Sequence, residues 1–232
     1  MHGWLGVRFH TFGWLLLFAT ACDGTISVTF ATGAQTFAVS ADSLAIPPEV
    51  ADGATIRSVP CNPSGLCPSS AEVAFSCEAD VCNPAPKTLS VVGPEVDVGA
   101  LLADTREVGL RVVDAYEVLD VTYDVQTNTL TVPTDPVEVF WGPSGANAVD
   151  TSLGVRHFGT MPAIEAGQLG TGHVALDASG VAEMSDYLVG TAQQVRFFAQ
   201  TTVDLEPGDP IPAGNLQVSV NATIRAVGSI LE

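Results

Sequence analysis

Two runs near the end of the chain restrict the fold more than any other feature. Val195, Phe197, Ala199, Thr201, Val203 and Leu205 alternate with Arg196, Gln200, Thr202 and Asp204. After a Pro- and Gly-rich link from Glu206 to Asn215, Leu216, Val218, Val220, Ala222, Ile224 and Ala226 alternate with Gln217, Ser219, Asn221, Thr223 and Arg225. A period of two puts every apolar residue on one side of an extended chain, whereas a helix would scatter them. Long strands with one apolar and one polar face belong to antiparallel sheets that cover a core on one side. The pair is expected to form a hairpin across its link.

The same pattern recurs upstream. Ile26, Val28 and Phe30 share a face, Gly33 interrupts it, and Phe37 and Val39 resume it. Lys87 to Val92 reads as a strand ended by Gly93-Pro94, with Asp97 capping a short helix through Ala103. Gly109 to Val125 is long and extended, with Leu119, Val121, Tyr123 and Val125 on one face. Glu117 falls on that apolar face, so a bulge is expected near 115–118, where the strand would pass between two sheets. Val137, Val139 and Trp141 form another apolar face. Gly172 to Asp177 reads as a strand and Ala178 to Val189 as a helix with Met184 and Leu188 on one side. These elements predict an all-β fold: an antiparallel β-sandwich of immunoglobulin-like type, with one or two short helices, over residues 25–232.

The start of the chain is of another kind. An apolar run from Phe12 to Phe18 is too short to span a bilayer. It is followed by Ala19-Thr20-Ala21-Cys22. Here the chain resembles the lipobox of bacterial lipoproteins, over residues 1–22. The resemblance implies that residues 1–21 are a signal peptide and that Cys22 receives a diacylglycerol, with 22–24 as anchor site and linker. Ala19 stands where the family usually carries Leu, and Ala-x-Ala also suits an ordinary secretory cut, which would leave the protein secreted.

The cysteine count fits lipidation. There are five cysteines, an odd number for an exported chain. Lipidation of Cys22 leaves Cys61, Cys67, Cys77 and Cys82 for two disulfides, with three possible pairings. A hairpin of Thr55–Val59 with Ala71–Cys77 would hold Cys77 far from Cys61 and Cys67, which favours Cys61–Cys67 with Cys77–Cys82. Zinc is the functional alternative, but the spacings exceed those of usual paired ligands.

Charge and composition exclude some partners. The net charge is −18, with 8 Lys and Arg against 26 Asp and Glu, so the surface repels nucleic acid and anionic lipid heads. The membrane is reached through the N-terminal lipid instead. No nucleophile elbow, phosphate loop or metal-ligand spacing stands out. Asp114, Asp120 and Asp124 read as a solvated strand face. Asp204, Glu206 and Asp209 in the last link offer hard oxygen ligands, the only hint of a cofactor, which would be calcium. Residues 142–172 carry little periodicity. They hold Arg156, His157 and Phe158 side by side, expected as a binding surface on a loop folded over one end of the sandwich. The function expected is a lipid-anchored binding or structural module of the bacterial cell envelope without catalytic activity, its partner an envelope protein or glycan. The alternative is a periplasmic or surface hydrolase with dispersed catalytic residues.

Overall fold

The computed structural model describes residues 25–41, 44, 46–70, 73–103, 112–190 and 193–229. Cys22 and the leader lie outside the described residues. Two antiparallel five-stranded sheets face each other, as the alternations require. In the first sheet β15 (Asn215–Ser229) is central. On one side it pairs along its length with β9 (Val112–Asn128), which pairs in turn with β12 (Gly170–His173). On its other side lie β1 (Thr25–Ala31) and β2 (Gln35–Ser40), end to end and running the same way. At their joint the Thr32 hydroxyl accepts from Ala222 N–H at 3.1 Å, standing in for a strand carbonyl. Gly33 at φ +75° takes the left-handed kink there. The interruption seen in the sequence is thus a break in one edge, not a turn.

The second sheet runs β13 (Ala175–Leu176), β11 (Arg156–Met161), β10 (Val137–Pro143), β14 (Gln194–Val203), β8 (Lys87–Asp97). The expected hairpin of the two terminal runs does not form. β14 and β15 sit in opposite sheets, and the link between them crosses the sandwich. One-sided amphipathic strands satisfy burial equally well side by side or face to face. Their apolar rows meet in the shared core with Tyr116, Val121, Trp141 and Phe158.

Bulges set the details. Against β15, β9 carries extra residues at Asp114, Leu119 and Gln126. The strand therefore switches faces without leaving its sheet, contrary to the expected passage between sheets. Tyr116 is buried, Leu119 is 42% exposed, and Glu117 points outward to Arg225 at 3.0 Å. β8 runs on through Gly93-Pro94 by setting both opposite Phe197. As an edge strand it tolerates a proline, which has no N–H to donate. Gly93 leaves room for the Phe37 ring, which would lie 2.6 Å from an added Cβ.

The two flanks of the sandwich differ. On one, the chain steps from β12 in the first sheet to β13 in the second through Val174, whose N–H donates to Val121 O at 2.9 Å. On the other, β2 and β8 face each other as free edges, over an apolar cavity of about 50 Å³ lined by Val39, Val91, Val139 and Val218.

The ends differ too. Thr25 pairs with Ser229, and near them lie α1 (Val98–Ala103) and α2 (Ala178–Gly190). Asp97 caps α1 as expected, accepting from Ala100 N–H at 2.7 Å. The opposite end holds the segments 46–50, 129–134, 162–169 and 204–214. A small second core closes it, with Leu44, Ile56, Val73, Val132, Val203 and Leu205.

From that far end the cysteine-bearing segment emerges as a separate sheet, β5 (Val59–Pro60), β7 (Val81–Pro84), β6 (Phe75–Glu78). A two-stranded pair, β3 (Ala51–Asp52) with β4 (Thr55–Ile56), precedes it. The disulfides are Cys61–Cys77 and Cys67–Cys82, which corrects the expected pairing. The expected two-stranded hairpin omitted β7, which lies between the other two strands. β7 sets Cys82 opposite Cys77 and beside Val59, and the Cys61 N–H donates to Asp80 O. The cysteines assumed to be distant are thereby gathered together.

Candidate functional site

Residues 142–172 are not the loop expected from their composition. Their middle is β11, and the loop before it folds back on the outer face of the second sheet. There Ala146 and Val155 bury Phe198, with Phe140 and Val149 alongside. β11 carries a bulge at Phe158, because Val139 pairs with Gly159 and Phe140 with His157. The bulge sends the three adjacent candidates in different directions. Phe158 enters the core at 1% exposure and packs on Phe197, with ring centroids 5.4 Å apart. It is not available to a partner, and the expected three-residue surface is not assembled. Arg156 lies outside and pairs through Nε with Glu183 of α2 at 2.9 Å. Its guanidinium also donates to the carbonyls of Thr151 and Val155.

His157 is held between two carboxylates. Its Nε2 meets Glu138 Oε2 at 2.5 Å and its Nδ1 meets Asp177 Oδ2 at 3.1 Å. Thr160 Oγ1 donates to the same Glu138 oxygen at 3.0 Å. The Phe140 ring presents to the imidazole edge-on, 5.5 Å between centroids. Burial pushes the His157 pKa down, but the hydrogen bonds and charges of Asp177 and Glu138 outweigh it and hold the pKa above the ordinary value. The imidazolium form donates from both nitrogens. Asp177 is held below the usual carboxylate range by His157 first, then by the Ser179 N–H that it caps at the start of α2. Such a clamp positions α2 on β11. It leaves neither ring nitrogen free to take a substrate proton, which a general base requires.

His173 sits on the outer face of the first sheet. His173 Nδ1 meets Asp120 Oδ1 at 2.9 Å, and its side chain is 72% exposed. It borders a shallow polar groove of about 370 Å³ with Thr122, Asp124, Thr171, Ser219 and Asn221. The register explains the convergence: Thr171, Asp124 and Ser219 form one cross-strand row, with His173, Thr122 and Asn221 the next. The alternation of each run was legible in the sequence, but which outward faces adjoin was not. Asp114 sits at its bulge, away from Asp120 and Asp124.

The calcium candidates do not converge. Asp209 Oδ2 accepts from Glu206 N–H at 2.7 Å, so that carboxylate closes the turn of the link. Asp204, Glu206 and Asp209 do not bring their oxygens to one point. Among the described residues, the group with ligand atoms close enough to share an ion is the sulfur trio of Cys61, Cys67 and Cys82. Trp141 is a core residue, 3% exposed, whose indole N–H donates to Gly180 O at 2.8 Å.

No family model and no curated protein matches the chain. Among solved structures, a chain of Desmodium yellow mottle tymovirus is 10% identical, with 94% of this chain and 95% of that chain covered, at a TM-score of 0.31. A chain of Mud crab tombus-like virus is 12% identical, with 100% of this chain and 94% of that chain covered, at a TM-score of 0.30. Likenesses this loose carry nothing about what the protein does.

Proposed function

We propose that this protein is an exported β-sandwich, tethered to the cell envelope by a lipid on Cys22, that works by holding a partner rather than by turnover. The end-to-end polarity of the sandwich carries the reading. β1 begins at one end, and Cys22 precedes it by three residues, a reach of about 10 Å at most. The loops and the cysteine module occupy the opposite end, where a rigid scaffold would present them to a partner. With Cys61, Cys67, Cys77 and Cys82 in disulfides, Cys22 is left over for modification. Two disulfides suit an oxidising compartment. The acidic surface repels anionic lipid heads, which favours a domain standing off the bilayer. The partner is an envelope protein or glycan.

The intact mass of membrane-extracted protein tests this. A diacylglyceryl group on Cys22 is expected, and Cys22→Ser should move the chain to the soluble fraction. Recovery of the unmodified wild-type chain in the soluble fraction would overturn the reading.

A hydrolase is the second reading, supported by the Asp120–His173 pair beside the polar groove. Turnover on an ester, peptide or glycan panel that His173→Ala abolishes would favour it over the first.

A further inference from the structure

We propose that the groove on the outer face of the first sheet binds a neutral oligosaccharide. Its floor is the cross-strand row of Thr171 on β12, Asp124 on β9 and Ser219 on β15. Thr36 on β2 continues the row beyond Ser219. Ser219 is 8% exposed and still lines the groove. Among the described residues, no hydrogen bond or ion pair engages the side chains of Thr171, Asp124 or Ser219. In the next row, Asn221 has a buried Oδ1 with no donor, although Thr122 donates to its main-chain carbonyl at 3.4 Å. The groove lies between two pairs that are closed on themselves. Gln217 donates to Gln126 at 3.1 Å on the loop side, and Arg225 donates to Glu117 at 3.0 Å on the other.

Buried polar groups normally have partners, so a nearly buried hydroxyl and a buried amide oxygen without any are places for a ligand's polar atoms. The Asn221 amide turns on a soft terminal torsion, which lets Oδ1 swing out to a ligand hydroxyl.

The class of ligand follows from the lining. Among the described residues no Lys or Arg lines the groove, and Asp124 sits on its floor in a chain of net charge −18. Phosphate, sulfate and uronate groups are therefore repelled. An ammonium group only donates, and would leave the hydroxyl hydrogens of Ser219 and Thr171 without an acceptor. A sugar hydroxyl both donates and accepts, so one chemical type satisfies the carboxylate, the hydroxyls and the amide together. Strands about 4.8 Å apart space these groups across the sheet, which suits a chain of sugar rings rather than a single ring. β12 follows the 162–169 segment, so the groove adjoins the end of the sandwich away from the proposed tether. The inference rests on the reading that the protein holds a partner, and it names that partner's chemistry without depending on the lipid.

The test uses the full chain carrying Cys22→Ser, so that a missing lipid and a missing ligand are separate results. Titration calorimetry follows cellotetraose, chitotetraose, maltotetraose and mannotetraose, with tetragalacturonate and tetralysine as charged controls. Expected is saturable binding of at least one neutral tetrasaccharide, unchanged by added salt, and no binding of the galacturonate. Asp124→Ala should weaken it by about tenfold or more, and Ser219→Ala by less. Asp204→Ala, in the far link, should leave it unchanged. Circular dichroism checks that each variant is folded, and Thr171→Val on the edge strand replaces any that is not. The proposal is overturned if none of the four neutral tetrasaccharides binds, if only tetralysine binds and salt abolishes it, or if the folded groove variants bind as tightly as the parent.

Discussion

His157 ties together three parts of the fold through one ring: Glu138 on β10, its own strand β11, and Asp177 at the start of α2. Arg156, next to it in the chain, is paired with Glu183 of α2. The pH dependence follows from the two shifts. The His157 pKa is raised, so its contribution to stability is complete below the unfolded value of about 6.5 and is lost as pH rises through the folded value. That of Asp177 is lowered, so its contribution is present above about 3.9 and is lost as pH falls through the folded value. The clamp is strongest between these limits. Because the groups are half-exposed, solvent screens the clamp and its contribution is small. His157→Gln should lower Tm by about 1–3 °C near pH 5.5 and by less near pH 8.5. Equal losses at both pH values in thermal melts would show that charge is not the cause. The sequence placed Arg156, His157 and Phe158 together correctly as neighbours. It could not show that a bulge separates them, because a bulge exists only relative to a partner strand.

At the level of elements, α2 sits where a single glycine lets it. A Cβ on Gly180 would lie 1.7 Å from His157 O, and Gly180 O accepts the Trp141 indole N–H. Helix propensity alone predicts that Gly180→Ala stabilises α2, by about 1 kcal/mol. The contact predicts the opposite sign, a loss of about 1–3 kcal/mol as the helix lifts from β11. Chemical denaturation decides between them, and a stabilised variant would refute the close approach. The helix itself and the α1 cap were legible, since periodicity and capping are local signals. The hairpin of β6 and β7 was not. Its turn residues, Ala79 and Asp80, both adopt positive φ without the Asn-Gly or Asp-Gly pair that usually announces such a turn. Missing that turn removed β7 from the expected fold, and with it the correct disulfide pairing.

For the whole molecule, alternation identified the strands and the sandwich, but not which sheet each strand joins. β14 and β15 show why: burial alone scores the same face whether the partner is beside it or across from it. The unlike flanks of the sandwich bear on dynamics. One is stitched through Val174, and the other leaves β2 and β8 as free edges above an apolar gap. Amide exchange should therefore be faster at outward-facing amides of β2 and β8 than at Val174 and the β9 amides bonded to β15. Uniform protection across both flanks would contradict this picture.

The end-to-end placement of β1 also has a mechanical meaning. β1 begins at the end nearest Cys22 and runs antiparallel to β15, with Thr25 opposite Ser229 and Ala31 opposite Thr223. A partner tugging on the far loops would pull β15 one way while the tether pulled β1 the other. That load lies along the strands and across their hydrogen bonds, so the bonds between β1 and β15 would resist together in shear instead of parting one by one. The same two strands dragged apart from their adjacent termini would unzip. Under the proposed attachment at Cys22, this domain would meet drag in its stronger direction.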